Sequence, residues 1–99
     1  MEIRIQSIHF DATERLQDFI QKKVSKLDKY SDGIVDAEVA LKVVKPEVAS
    51  NKEASIKINA KNNDFFASKI ADTFEEAVDL CIEALEKQII KSKEKANSK

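Results

Sequence analysis

Apolar and polar residues alternate along four stretches of the chain and recur at helical spacing along two others. Ile3 and Ile5 alternate with polar neighbours in EIRIQSI, the pattern of a half-buried strand. Ala37, Val39, Leu41 and Val43 do the same against Asp36, Glu38, Ala40 and Lys42, and so do Ala54, Ile56, Ile58 and Ala60. A tight-turn signal, Asn62-Asn63-Asp64, then leads into a short strand through Phe65 and Ala67. Between the first two strands, apolar residues fall at Leu16, Phe19, Ile20, Val24 and Leu27, one face of a helix. A second helical face follows the last strand, with Phe74, Val78, Cys81, Leu85 and Ile89.

The punctuation agrees with the periodicity. Asp11, with Glu14 three residues on, reads as the start of the first helix, and Tyr30-Ser31-Asp32-Gly33 as its end. Asp72-Thr73-Phe74-Glu75 reads as the start of the second. Residues 45–52, with Pro46, Ser50 and Asn51, read as a loop. The order is therefore β-α-β-β-β-α. It predicts a two-layer α+β domain with a four-stranded mixed sheet and both helices on one face. The first two strands, joined through a helix, are expected to be parallel with a right-handed crossover. Leu16, Ile20, Val24, Leu27, Val78, Cys81, Leu85 and Ile89 form the predicted shared core. A length of 99 residues suits one domain, with residues 91–99 read as a polar tail that frays.

Composition narrows the function classes. Charged residues make up 35% of the chain, yet the formal net charge is −1, so the bulk basicity of many nucleic-acid binders is absent. The charge is instead sorted into blocks. Residues 72–86 hold six acids and no base, residues 87–99 five lysines against Glu94, and residues 21–30 four lysines against Asp28. The single glycine excludes a Gly-rich phosphate loop. Cys81 and His9 are each the only one of their kind, so no disulfide, cysteine-rich metal site or catalytic triad can be assembled. Neither a cofactor nor a metal is expected, and no enzymatic reaction. The N-terminus carries no signal-like apolar run and no stretch reads as a membrane span, which makes the cytoplasm the expected location.

At about 100° per residue, Arg15, Lys22, Lys26 and Lys29 form one stripe beside the apolar face of the first helix. Lys23 sits at the border of that face, where its stem can pack while its ammonium reaches solvent. Lys87, Lys91 and Lys95 share a side of the second helix. If the helices lie side by side, the stripes can merge into one positive surface able to act on a partner despite the near-zero net charge. On periodicity alone the plainer account is favoured: a solvated face, with acids early and lysines late in a helix to suit its macrodipole. Phe65 fits the inward strand pattern, and the role of Phe66 is open.

Three segments carry a resemblance. TERLQDFIQKKVSKLDKY (13–30), LKVVK (41–45) and AVDLCIEALEKQIIKSKEK (77–95) resemble the ribosome hibernation-promoting factor family, also called ribosome-associated inhibitor or sigma-54 modulation proteins, in its short form. The resemblance implies the same β-α-β-β-β-α fold, arranged like a double-stranded-RNA-binding domain. It implies a non-enzymatic translation inhibitor of idle, stationary-phase or stressed cells. Such a protein binds the decoding region of the small ribosomal subunit, across the sites of messenger and transfer RNA. Lys23, Lys26, Lys87, Lys91, Lys93 and Lys95 fall where that family has basic residues facing ribosomal RNA. Arg15, Lys22 and Lys29 join them from the stripe. The implied partners are the small subunit with its RNA and the whole ribosome, and no membrane; ribosome dimers formed with a helper protein are left open. Two positions depart from the pattern. Phe74 displaces the aromatic that usually precedes the last helix, and Ile70 stands where a polar residue is usual. A general module for structured RNA off the ribosome would use the same lysines and is the alternative. A protein-interaction adaptor is a third reading.

Overall fold

The computed structural model describes residues 2–8, 12–30, 33–44, 50–61 and 63–97, with side chains through Ser92. His9, Asp11, Ser31, Asp32, Pro46 with the rest of residues 45–49, and Asn62 lie outside the described residues. Strand β1 spans Glu2–Ile8 and helix α1 Glu14–Ser25, continued by a 3₁₀ turn over Lys26–Lys29. β2 (Ile34–Val43), β3 (Lys52–Ala60), β4 (Asp64–Ala71) and α2 (Phe74–Asn97) follow.

The four strands lie in sequence order across one sheet. β1 and β2 are parallel, as a helical crossover requires, and the other two pairings are antiparallel. Both helices pack on one face. Rows of paired residues make up that face: Ile3–Ala37–Ile58–Phe65 and Ile5–Val39–Ile56–Ala67. Against them stand Leu16, Ile20, Val24 and Leu27 from the first helical segment and Val78, Cys81, Leu85 and Ile89 from α2, all buried. Phe74, Ala77 and Ile82 join the same core. Each fully buried Leu or Ile contributes about 1.5–3 kcal/mol, whereas a helix cap contributes about 1 kcal/mol. The coincidence of apolar faces therefore decides the architecture, and the caps only trim its ends.

Those ends differ in detail from the sequence reading. α1 is capped by Thr13, whose hydroxyl accepts from the Leu16 amide at 3.1 Å, two residues beyond the expected Asp11. Starting there puts Leu16, the first core residue, in the first turn and Glu14 beside the positive end of the macrodipole. At α2 the cap is Thr73, accepting from the Glu76 amide at 3.1 Å. The neighbouring Asp72 carboxylate instead accepts the Ser50 hydroxyl at 2.6 Å. α2 runs on to Asn97, through most of the stretch read as a tail. Its lysines, glutamate and alanine are good helix formers, and neither Gly nor Pro interrupts them. β4 is longer than expected, at 8 residues. In β2 the register shifts between Ile34 and Asp36, which leaves Val35 as an extra, exposed residue.

Both helices return along the sheet from strands that run the same way, so they run in the same direction. The 3₁₀ turn, the β3–β4 turn and the last turns of α2 therefore gather at one end of the domain. Two contacts fix that gathering: the Lys61 amide donates to the Gly33 carbonyl at 2.9 Å, and the Asn63 amide group donates to the Ser92 hydroxyl at 3.1 Å.

Candidate nucleic-acid interface

The first helical segment presents its cations along one flank. Arg15, Lys22 and Lys26 are exposed and lie within a narrow arc, because 11 residues bring a helix back almost to the same direction. They extend over about 16 Å of axis at 1.5 Å per residue. Arg15 and Lys22 border a shallow hollow with Glu14, Asp18 and Phe19. Lys26 and Lys29 both sit in the 3₁₀ turn. Residues three apart eclipse one another in that geometry, so these two point the same way, at the negative end of the helix dipole.

Lys23 is the border residue. Its side chain is 31% exposed. The ammonium sits 5.5 Å from the centre of the Phe19 ring and 3.1 Å from the Asp79 carboxylate of α2. The side chain is partly covered, and its charge meets the neighbouring helix instead of open solvent.

The lysines of α2 are placed differently from those of α1. Lys87 pairs with Glu83 at 3.6 Å and borders a hollow with Lys69, Leu80 and Ala84. Lys91 borders another with Asn63, Asp64, Phe65, Gln88 and Ser92. Both therefore lie on the flank of α2 that faces β4, away from α1. The flank toward α1 carries Asp79, and the helical repeat puts Glu75 and Glu86 there with it. The helices do lie side by side, but the two stripes do not meet across the seam between them. They meet at the domain end, where Lys26, Lys29, Lys91 and Lys61 are all exposed. Lys93 and Lys95 lie on α2 beyond the last described side chain. Lys61 escaped the sequence reading because it belongs to no helical stripe. Its only signal was its place just before a turn, and the contact with Gly33 that fixes it is long-range.

The sheet face turned away from the helices has a different character. Arg4 bridges Asp36 at 3.2 Å and Glu38 at 3.6 Å, and the Asn59 amide donates to both carboxylates. Lys57 and Phe66 continue that row. A depression of about 350 Å³ lies among Arg4, Gln6, Glu38, Ala40, Ser55, Lys57 and Phe66. Phe66 is 57% and Ile70 51% exposed on this face, which settles their orientation. Glu2, Asp36, Glu38 and Glu53 outnumber Arg4, Lys42 and Lys57 on this face, so it is weakly acidic and offers phosphate no net attraction.

The Cys81 thiol is buried and donates to the Ala54 carbonyl at 3.2 Å, and burial pushes its pKa up to about 11. Such a thiol is a core group rather than a nucleophile. Among the described residues no three His, Cys, Asp or Glu side chains are placed to hold a metal. No described helix is long and apolar enough to cross a membrane.

Comparison with known proteins converges on one family. The chain is 32% identical over 95 residues to the ribosome hibernation promoting factor of Escherichia coli strain K12, covering 96% of each. It is 29% identical to that of Azotobacter vinelandii, covering 96% of this chain and 85% of the relative. The ribosome hibernation promotion factor of Bacillus subtilis is 30% identical across the whole chain, which spans 52% of that longer protein. The fold superposes on a ribosomal subunit interface protein from Coxiella burnetii with a TM-score of 0.82 at 23% identity, covering 98% of this chain and 100% of the other. It also matches the Thermus thermophilus Protein Y N-terminal domain, with a TM-score of 0.81 at 23% identity, covering 92% and 98%. The profile of the family described as Sigma 54 modulation protein / S30EA ribosomal protein matches residues 3–97. The chain belongs to that family.

Proposed function

We propose that this protein binds ribosomes and holds them in an inactive, hibernating state, lying in the decoding region of the small subunit and acting as a steric block. The observation that carries the reading is the basic end of the domain. There Lys26, Lys29, Lys61 and Lys91 converge from three elements on a rigid two-layer scaffold, while the open sheet face is left acidic. Lysine is a point-charge partner for phosphate and needs no base readout, which suits a channel walled by RNA backbone. Arg15 and Lys22 extend the contact along α1, Lys87 along α2, and Lys93 and Lys95 along its last turns. The acids elsewhere limit indiscriminate coating of RNA. The site of action is then the cytoplasm, where ribosomes are, and the action is occupancy without turnover or covalent change to RNA.

Titration into a translation extract with footprinting of small-subunit RNA tests the reading. Inhibition should be stoichiometric with ribosomes, protections should fall in the decoding region, and excess initiation complex should relieve the block. Inhibition at sub-ribosomal amounts, or binding alongside messenger and transfer RNA in those sites, refutes it. Competition with free duplex RNA separates this reading from a general structured-RNA module, which would bind both alike.

A further inference from the structure

The seam between the helices holds a charge arrangement that a simple basic patch would not need. Lys23 is the one cation of the first helical segment with an ion-pair partner among the described residues, and that partner, Asp79, is on the other helix. Arg15, Lys22, Lys26 and Lys29 have none. Asp79 is not sunk in the core: its side chain is 51% exposed, at the rim of the surface from which Lys23 would meet RNA. The helical repeat sets Glu75 and Glu86 on the same flank, so three of the six acids of residues 72–86 lie toward the first helix.

We propose that Asp79 is a built-in competitor for Lys23. In the free protein the carboxylate holds the ammonium. Engagement of RNA requires the ammonium to change partners, leaving Asp79 beside the incoming phosphate. The pair thus presents almost no net charge to distant or loosely bound RNA. It opens only where a phosphate is held against the seam by contacts made elsewhere on the surface. The Phe19 ring, 5.5 Å from the ammonium, gives it a second, uncharged neighbour at the seam beside Asp79. The inference rests on the ribosome reading above and names a residue that tunes it.

The test measures binding of the full chain to purified small ribosomal subunits at several salt concentrations. The variants are Asp79→Asn, Lys23→Met, the double variant, and Glu76→Gln as a control that removes one exposed acid of α2 away from the seam. Removing the competitor should tighten binding by about two- to five-fold, the range for a partly exposed ion pair. It should also steepen the log–log salt slope by about 0.7–0.9, one phosphate contact no longer cancelled. The gain should vanish in the Lys23→Met background, and Glu76→Gln should show little of it. Unchanged or weaker binding by Asp79→Asn overturns the inference, since it would make the acid inert or a positioning group for the lysine. A gain that survives Lys23→Met, or is matched by Glu76→Gln, overturns it as well by reducing it to net charge. These outcomes leave the ribosome reading standing as long as the wild-type chain binds. A wild-type chain that does not bind subunits overturns both.

Discussion

Truncation after Ile90 separates binding from folding. It removes Lys91, Lys93, Lys95 and Lys99 with Glu94 and the last turns of α2. Ile89 is the last buried residue among the described side chains, so the described core is untouched. The only described tertiary hydrogen bond lost is that from Asn63 to Ser92, which is exposed. A typical hydrogen bond contributes about 0.5–1.5 kcal/mol, and in a domain this size 1 kcal/mol is about 4–8 °C in Tm. The melting temperature should therefore fall by no more than about 12 °C. The electrostatic loss is larger. At about 0.7–0.9 in log–log slope per phosphate contact, each lysine supplies about 0.6–0.7 of a decade at 0.15 M salt relative to 1 M. If all four lysines meet phosphate, affinity for ribosomes should fall about 10²–10³-fold and the slope should flatten by about 3. Sedimentation with ribosomes across a salt series, next to thermal melts, measures both. An affinity loss under about three-fold, or a collapse of Tm that accounts for the loss, would falsify the assignment of α2's end to the interface.

Three further outcomes follow from particular residues. Lys23→Glu with Lys26→Glu should weaken ribosome binding far more than Lys42→Glu with Lys57→Glu, since the latter two lie on the acidic sheet face; equal losses in a pull-down would mean that net charge alone governs binding. Leu85→Ala removes a fully buried side chain facing the sheet and should cost about 2–5 kcal/mol in urea melts; a cost below 1 kcal/mol would mean that α2 is not held by its apolar face. Because the Cys81 thiol titrates near 11 when folded and 9.0 is its ordinary value, the unfolded chain loses this proton first as pH rises. The contribution of this group should thus be flat below about pH 9 and fall by up to about 2–3 kcal/mol by pH 11, and Cys81→Ala should remove that component.

The fold was legible because its two periods do not compete. Ile3, Ile5, Val39, Leu41, Ile56 and Ile58 repeat every two residues, while Leu16, Ile20, Val24, Leu27, Val78, Cys81, Leu85 and Ile89 repeat at helical spacing. Burial is the strongest local force, so all eight helical positions were found in the core. Boundaries were less legible where several residues offered the same chemistry, as Asp11 and Thr13 did for one cap. The extent of α2 was masked by its polarity, since a helix that overhangs the sheet needs propensity and no apolar face. For the candidate interface, periodicity identifies which lysines share a side of their own helix. It does not say which way a helix is rolled on the sheet. Packing of Ala84 and Gln88 toward β4 turned Lys87 and Lys91 away from α1, and the Lys61–Gly33 contact brought in a lysine that no periodic pattern marks.

The placement of β1 has a consequence for how the domain opens. β1 is an edge strand bonded only to β2, and its apolar residues Ile3 and Ile5 are only half-buried. β2, β3 and β4 form a continuous meander of neighbours in sequence, closed at low entropic cost, whereas β1 must wait for α1 to cross over before it can dock. On that ground β1 is expected to be the segment that opens first, ahead of the meander with α2. Amide protons of Ile3 to Ser7 should exchange with solvent through local opening, well before those of Val39 or Ile56, which wait for the whole chain to unfold. Detachment of β1 alone would leave the end where Lys61 and Lys91 sit assembled through the β3–β4 turn and α2, so the domain can breathe at one edge while that basic end keeps its shape.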